Sequence, residues 1–388
     1  MSRHDFQIQP SFKHRVVFTR AAFSSENPAL AEILAEGGGR RAIVIIEKSV
    51  ATAWPSLAEN AATYLKTCGV DCRGAEIFSG GETVKADEML VREICALIHD
   101  GHIDRHSYLL AIGGGAFLDA VGFAAAIAHR GVRLIRFPTT TLSQDDSGVG
   151  VKCGINGFGK KNWFGSFAVP FAVINDFAFL HTQDEETRRS GLIEAVKVAL
   201  VKDAGFFRWI EENSAALAAL EPDALEQCVE RSAFLHARHI ATGGDPFETG
   251  SSRPLDFGHW AAHKLEAISG CTVPHAKAVA VGIALDSLYA EKAGIAAAGL
   301  ATRVHNLLCR LGLPLWHEQM AARSGGELQI LEGIDEFREH LGGDLTILMP
   351  EDIGRCRDVH EIDSALIVTC LKMLSTLSGN AAECRNTY

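Results

Sequence analysis

Over the first half of the chain, short continuous apolar runs alternate with segments of helical periodicity. Over the second half only the helical periodicity persists. Arg41 to Glu47 (Arg-Ala-Ile-Val-Ile-Ile-Glu) is apolar at every position between its charged ends and Tyr108 to Ile112 (Tyr-Leu-Leu-Ala-Ile) is apolar throughout, as strands covered on both faces are. Residues 15–19, Gly74 to Ser79, Leu134 to Phe137 and Phe171 to Ile174 predict further strands. Ala51 to Lys66, residues 85–99 and the run from Gly115 to His129 predict helices between them. Such alternation predicts a mostly parallel, doubly wound sheet. From Glu185 onward alanine, leucine and glutamate recur at helical spacing over 185–202, 204–217, 222–241, 256–269, 274–293, 296–311 and about 317–325. One strand (Asp344 to Met349) and a last helix (361–378) follow. The predicted fold class is α/β, with a parallel-sheet domain over residues 1–178 and a mostly α-helical domain over 179–388.

Composition narrows the class of function. Apolar residues make up 47% of the 388 and charged residues 22%, enough to fill a core and coat it. A net charge of −11 argues against a nucleic-acid backbone as partner, yet leaves room for a local basic pocket that takes an anionic small molecule. The ten cysteines form no Cys-x-x-Cys pair and read as reduced thiols. No apolar run approaches the ~20 residues that span a bilayer, and the N-terminal segment is polar, so the expectation is a cytoplasmic protein without a membrane partner.

Candidate chemistry concentrates between Gly113 and Lys197. A strand, three glycines (Gly113, Gly114, Gly115) and a helix start form a turn whose backbone can approach an anion. Glu47 closes a strand, where an acidic side chain in a nucleotide-binding fold meets ribose hydroxyls or simply faces water. Asp146, Lys152, Lys160, Lys161 and Asn162 crowd a stretch with few helix or strand signals. Lys152, set among Gly148-Val149-Gly150-Val151 and Gly154-Ile155, and Lys197, within an apolar helical segment, each need a partner or a task. In the helical half, His259 and His263 share a helix face at i, i+4, and His275 opens the next helix. His259 and His275 with Glu194 match the two-histidine, one-carboxylate pattern of a catalytic metal site. Among sixteen histidines, a His-x-x-x-His pair is also an ordinary exposed face.

Taken together these pieces resemble the dehydroquinate synthase superfamily, the sugar phosphate cyclases. The matching segments run from Glu47 to about Gly354: Gly81-Glu82-x-x-Lys85, Gly113-Gly114-Gly115-x-x-x-Asp119, Arg130-Gly131, Pro138-Thr139-Thr140-Thr141-Leu142, Asp146-Ser147-x-x-Gly150-x-Lys152, Lys161-Asn162, Glu194-x-x-Lys197, Phe257-Gly258-His259-x-x-x-His263 and His275. The resemblance implies an N-terminal Rossmann-like domain, a C-terminal helical domain and a homodimer. It implies one divalent metal, zinc with cobalt as the alternative, on Glu194, His259 and His275. It implies NAD on Glu47, Glu82, Lys85, Gly113, Gly114, Gly115, Asp119, Thr139, Thr140, Lys161 and Thr182. Asp146, Lys152, Asn162, Lys197 and His263 would meet a sugar phosphate, with Arg130 and Lys152 on its phosphate and Asp146, Lys152, Lys197 and His263 carrying catalysis. The implied reaction is a phosphate-eliminating cyclisation: transient oxidation of one alcohol, loss of phosphate and aldol closure, with no net oxidation.

The departures from that pattern concern the substrate. The family's Leu-Asn-Phe-Gly-His-Thr stands here as Leu255-Asp256-Phe257-Gly258-His259-Trp260, His-Gly-Glu as His275-Ala276-Lys277, and an Asp-Lys-Lys stretch as Phe337-Arg338-Glu339 ahead of Gly342-Gly343. A lysine that helps the family bind a heptulosonate carboxylate aligns with Phe247, with Arg253 as a cation that could replace it. Asp256 adds negative charge to the same wall. The expected substrate is therefore a neutral-ended ketose phosphate, sedoheptulose 7-phosphate, cyclised to a C7 cyclitol of valiolone type. The alternatives are a 3-dehydroquinate synthase acting on a heptulosonate 7-phosphate and a metal-dependent NAD alcohol dehydrogenase.

Overall fold

The computed structural model of the chain describes residues 2–8, 10–158, 160–247, 254–340 and 343–385. Arg253 and Gly342 lie outside the described residues. The chain divides into two compact units: Met1–Thr139 with Ser147–Thr182, and Thr140–Asp146 with Gln183–Tyr388.

The first unit is built on a six-stranded parallel sheet. Its strands are β1 (Val16–Thr19), β2 (Arg41–Glu47), β3 (Asp71–Phe78), β4 (Tyr108–Gly113) and β5 (Arg133–Pro138), joined later in the chain by β8 (Ala172–Asp176). The order across the sheet is β1-β8-β5-β4-β2-β3. Ile43, Val44, Ile45 and Ile46 of β2 and Leu109, Leu110, Ala111 and Ile112 of β4 are buried, because helices cover both faces of the sheet. After β3 the chain returns to place β4 on the other side of β2. That reversal opens a crevice at the C-terminal ends of β2 and β4, the usual ligand position in open parallel sheets.

Two features of this unit differ from the sequence-based expectation. The helix expected over 85–99 is a 3₁₀ turn, Glu82–Ala86, followed by the helix Glu88–Asp100. Asp87 separates them by capping the second, accepting from the amides of Met89 and Leu90. The cationic stretch after Ser147 is an antiparallel hairpin, β6 (Lys152–Gly157) and β7 (Lys160–Phe167). Gly154 lets its strands cross closely, since a Cβ there would lie 2.5 Å from the carbonyl oxygen of Phe164. The loop into β6 hangs on Arg136, a fully buried β5 side chain that donates to the carbonyls of Gly148 (3.2 Å), Gly150 (2.7 Å) and Lys152 (3.0 Å).

The second unit is helical, with one apolar core from Leu192 to Leu374. The expected helix 185–202 breaks at Gly191 into Glu185–Ser190 and Leu192–Lys202. A Cβ at Gly191 would come within 2.7 Å of Thr141. Helices Pro222–Thr242, His259–Ile268 and His275–Lys292 follow close to expectation. Residues 317–325 form a 3₁₀ turn, Glu318–Ala321, and a two-residue strand instead of a helix. Near the end an antiparallel pair, Ile347–Asp352 with Arg355–Val359, precedes the helix Ser364–Arg385. No helix among the described residues is long and apolar enough to cross a membrane.

Candidate active site

In the first unit, Glu47, the Gly113–Gly115 turn and Thr139 meet at the crevice, with Lys85 paired to Asp119 on the helix that follows the turn. Glu47, at the end of β2, accepts a 2.7 Å hydrogen bond on Oε2 from the amide of Gly114. The carboxylate fits because both neighbours are glycines: a Cβ at Gly80 would lie 2.0 Å from Glu47 Oε1, and one at Gly113 2.8 Å from Oε2. The Gly114 amide, expected to point at an anion, is thus engaged by Glu47. The free donors at the turn are the first amides of the helix Gly115–Ile127, which lack intrahelical acceptors. Lys85, buried, pairs with Asp119 of that helix at 2.7 Å. The Thr139 amide donates to the carbonyl of Gly113 at 3.0 Å, joining the ends of β4 and β5. Thr182 accepts from Trp54 Nε1 at 3.1 Å, and Glu82 is exposed. A cradle of glycines, helix amides and a buried lysine–aspartate pair has the chemistry a dinucleotide requires.

Lys152, Lys160, Lys161 and Asn162 are exposed together on the β6–β7 hairpin. Lys152 was expected to be enclosed. Strand alternation instead turns it outward while Val151 and Cys153 are buried. Arg130, also exposed, lies on the loop into β5, where it and His129 both adopt positive φ (61° and 52°). Two consecutive non-glycine residues in that region mark a strained turn of the kind found at functional sites.

The second unit holds the other predicted residues. Donor atoms of Glu194, His259 and His275 all lie within 4.8 Å of one another. The two histidine-bearing helices are brought together by glycines: a Cβ on Gly282 would sit 2.0 Å from the carbonyl oxygen of Gly258, itself at φ 79°. His259 Nδ1 lies 3.1 Å from the carbonyl oxygen of Phe257, and His275 Nδ1 3.3 Å from Glu266 Oε1. Both partners only accept, so each Nδ1 is the donor, which leaves Nε2 as the ring atom that can face an ion. Glu194 is buried, and its Oε1 has no hydrogen-bond partner. An orphaned carboxylate oxygen and two poised imidazoles, one braced by a buried glutamate, can hold a divalent ion. The His263 ring is 5.4 Å from that of His259 and 6.2 Å from that of His275, and is exposed.

Lys197, 2% exposed, ion-pairs with Glu194 Oε2 and stands 3.8 Å from Asp146 Oδ1. Burial alone would lower its pKa, but Asp146 and Glu194 override it and raise it, so the lysine is charged. Burial would raise Asp146, yet Lys197 and His236 hold its carboxyl well below the usual range. His236 donates Nδ1–H to Asp146 Oδ1 at 2.8 Å. Asp256 is half-buried, and its negative charge also bears on Lys197. Thr140 turns back on its own segment, with Oγ1 2.8 Å from Ser143 Oγ. Sequence reasoning did not single out His236, Glu266 or Arg136. The first lies on a long polar helix with no ligand spacing, the second ends an ordinary Lys264-Leu265-Glu266 run, and the third lies inside an apolar strand.

Behind His259, the fully buried Asp286 accepts from Trp260 Nε1 at 2.9 Å, and its Oδ2 has no hydrogen-bond partner. Burial pushes its carboxyl from the ordinary 3.8 up to about 7. Its pKa is thus higher folded than unfolded, so the native state holds the proton more tightly. Stability from this group is greatest in acid and falls as pH rises from the unfolded to the folded value, by at most about 4 kcal/mol. Asp286→Asn keeps an oxygen for Trp260 and carries no charge. Its Tm advantage over the wild type is expected to grow from about pH 4 to about pH 8 in thermal melts. A pH-independent difference between the two would contradict the assignment.

Residues 76–190 match the 3-dehydroquinate synthase N-terminal family and residues 191–329 its C-terminal family. The 2-epi-5-epi-valiolone synthase of Streptomyces glaucescens is 33% identical over 358 residues, 90% of this chain and 88% of that protein. The 3-dehydroquinate synthase of Desulforamulus reducens is 32% identical over 335 residues, 85% of this chain and 90% of that one. A solved 2-epi-5-epi-valiolone synthase from Streptomyces hygroscopicus subsp. jinggangensis 5008, with NAD+ and Zn2+ bound, superposes with a TM-score of 0.85 at 26% identity, over 96% of this chain and 99% of that chain. The chain belongs to the 3-dehydroquinate synthase family, the phosphate-eliminating sugar cyclases. The expected fold class and superfamily are both borne out.

Proposed function

We propose that this protein is an NAD- and divalent-metal-dependent cyclase that converts a neutral-ended ketose phosphate, sedoheptulose 7-phosphate, to a C7 cyclitol of valiolone type. The observation that carries the reading is the Glu194, His259 and His275 donor set beside the Asp146–Lys197 pair. When bound, NAD supplies a reversible hydride acceptor and the metal a Lewis acid for a substrate oxygen. Glu194, His259 and His275 hold the ion. Glu47, Glu82, Lys85, the Gly113–Gly115 turn, Asp119, Thr139, Thr140, Lys161 and Thr182 hold the dinucleotide. Arg130 and Lys152 bind the phosphate, and exposure of both leaves them open to a dianion. Asn162 and Asp256 complete the substrate set. Asp146, kept anionic by Lys197 and His236, accepts a hydrogen bond from a substrate hydroxyl. Lys197, kept cationic, stabilises oxygen charge as it develops. His263, exposed beside the metal-binding histidines, is placed to exchange a proton with substrate.

The choice of substrate rests on charge. Asp256, where the family pattern has asparagine, adds a negative charge that bears on Lys197 and so disfavours a substrate carboxylate beside it. Phe247, half-buried, offers no charge-assisted hydrogen bond to such a group. Identity to the two kinds of relative, 33% and 32%, does not separate them, so these residues carry the argument. Nine cysteines, from Cys68 to Cys370, are free thiols, which supports a reducing cytoplasmic setting, and the family resemblance supports a homodimer.

With metal and NAD supplied, phosphate release should show a kcat/KM at least about tenfold higher for sedoheptulose 7-phosphate than for 3-deoxy-arabino-heptulosonate 7-phosphate, a difference of about 1.4 kcal/mol. Phosphate should accumulate with no matching rise in NADH absorbance. Preference for the heptulosonate would establish a 3-dehydroquinate synthase, and stoichiometric NADH an alcohol dehydrogenase.

A further inference from the structure

We propose that His236 is a positioning residue of this site, acting through Asp146; the inference rests on the cyclase reading. Asp146 sits in a π-helical turn, Ser143–Ser147, an irregular segment that gives its side chain no regular helix packing. Its carboxylate therefore needs an external tether. His236, on the helix Pro222–Thr242 with its side chain 12% exposed, supplies a 2.8 Å bond to Oδ1, while Lys197 stays 3.8 Å from the same oxygen and pairs with Glu194. Because the acceptor is a carboxylate, Nδ1 carries the proton.

The tether divides the labour among the charges around Lys197. With His236 in place, Asp146 is held off the lysine at 3.8 Å, and Lys197 retains Glu194 as its contact partner. Without the imidazole, Coulomb attraction draws the Asp146 carboxylate onto Lys197 Nζ. That collapse withdraws both groups from substrate: the aspartate no longer points an oxygen at a hydroxyl, and the lysine is neutralised by two carboxylates. His236 thus preserves a hydrogen-bond acceptor and a cation as separate tools.

The test uses full-length protein loaded with zinc and NAD. His236→Leu should lower kcat/KM for the ketose phosphate by roughly 10–100-fold, chiefly through kcat, with metal content and Tm unchanged. His236→Asn, whose Nδ2 takes the place of Nδ1, should recover activity to within a few-fold. In an Asp146→Asn background His236→Leu should cost nothing further, since the residue acts through Asp146. Independently of any substrate, ¹⁵N spectra of the imidazole should show the Nδ1-protonated tautomer in the wild type and a shift toward the Nε2-protonated one in Asp146→Asn. Full activity of His236→Leu, additive losses in the double variant, or an Nε2-protonated wild type would each overturn the proposal. If the wild type turns over no ketose phosphate while the tautomer result holds, it is the cyclase reading that fails.

Discussion

The His275→Ala variant is expected to fold, retain NAD and lose its divalent ion together with turnover. His275 is one of three donors that converge within 4.8 Å, and its side chain is 32% exposed. Its truncation therefore opens no large cavity, whereas removing the deeper His259 would disturb the packing around Trp260 and Phe257. Two donors, Glu194 and His259, remain, too few for a stable three-ligand site. The contribution of a Lewis acid to charge stabilisation is several kcal/mol, so kcat/KM should fall at least about a thousandfold. Elemental analysis of the dialysed variant, with near- and far-ultraviolet circular dichroism as a control for folding, checks the expectation. Stoichiometric metal with wild-type turnover would remove His275 from the ligand set.

Lys197→Met should have the second large effect, visible in stability as well as rate. The lysine is buried beside Glu194 and Asp146, and methionine fills its volume without its charge. Removing one partner of a buried ion pair strands the other at a cost of roughly 3–5 kcal/mol. The metal-free variant should therefore melt well below the metal-free wild type. Zinc, which neutralises Glu194, should recover part of that loss and raise Tm more in the variant than in the wild type. Activity should not return with it, because the proposed mechanism needs the positive charge of Lys197 on the substrate oxygens. Melts with chelator and with zinc separate the two roles. Equal Tm values in chelator would show that the pair contributes no stability.

Much of this architecture was legible in the sequence because burial writes itself into composition. β2 and β4 lie between two helical layers, so the runs Ala42–Ile46 and Tyr108–Ile112 are unbroken by charge and the strands stand out. The helices around His259 and His275 were visible from their periodicity, and Glu194 and Lys197 from their setting in an apolar helix. The β6–β7 hairpin was not visible. It is a two-stranded ribbon rich in glycine and lysine, and its alternation is weak where Gly154 and Gly157 replace side chains. That misreading also put Lys152 indoors when the strand turns it out. The path of Thr140–Asp146, which joins the second compact unit although its neighbours on both sides belong to the first, has no local signal. Nor does His236, one of sixteen histidines, whose meaning depends on an aspartate ninety positions earlier in the chain.

The contact between Gly258 and Gly282 gives the helical unit a fixed gauge. The separation of the His259 and His275 helices is set where two backbones touch, with no side chain between them to resize. Loops that enter and leave these helices can therefore lengthen, shorten or change charge without altering the distance between the imidazoles. Phe247 and Asp256 both precede the helix that opens at His259, so substitutions at these positions leave the gauge alone. A scaffold of this kind separates inheritance into two parts: a calibrated frame that cannot drift without losing its ion, and a replaceable wall on which new sugars can be tried one substitution at a time.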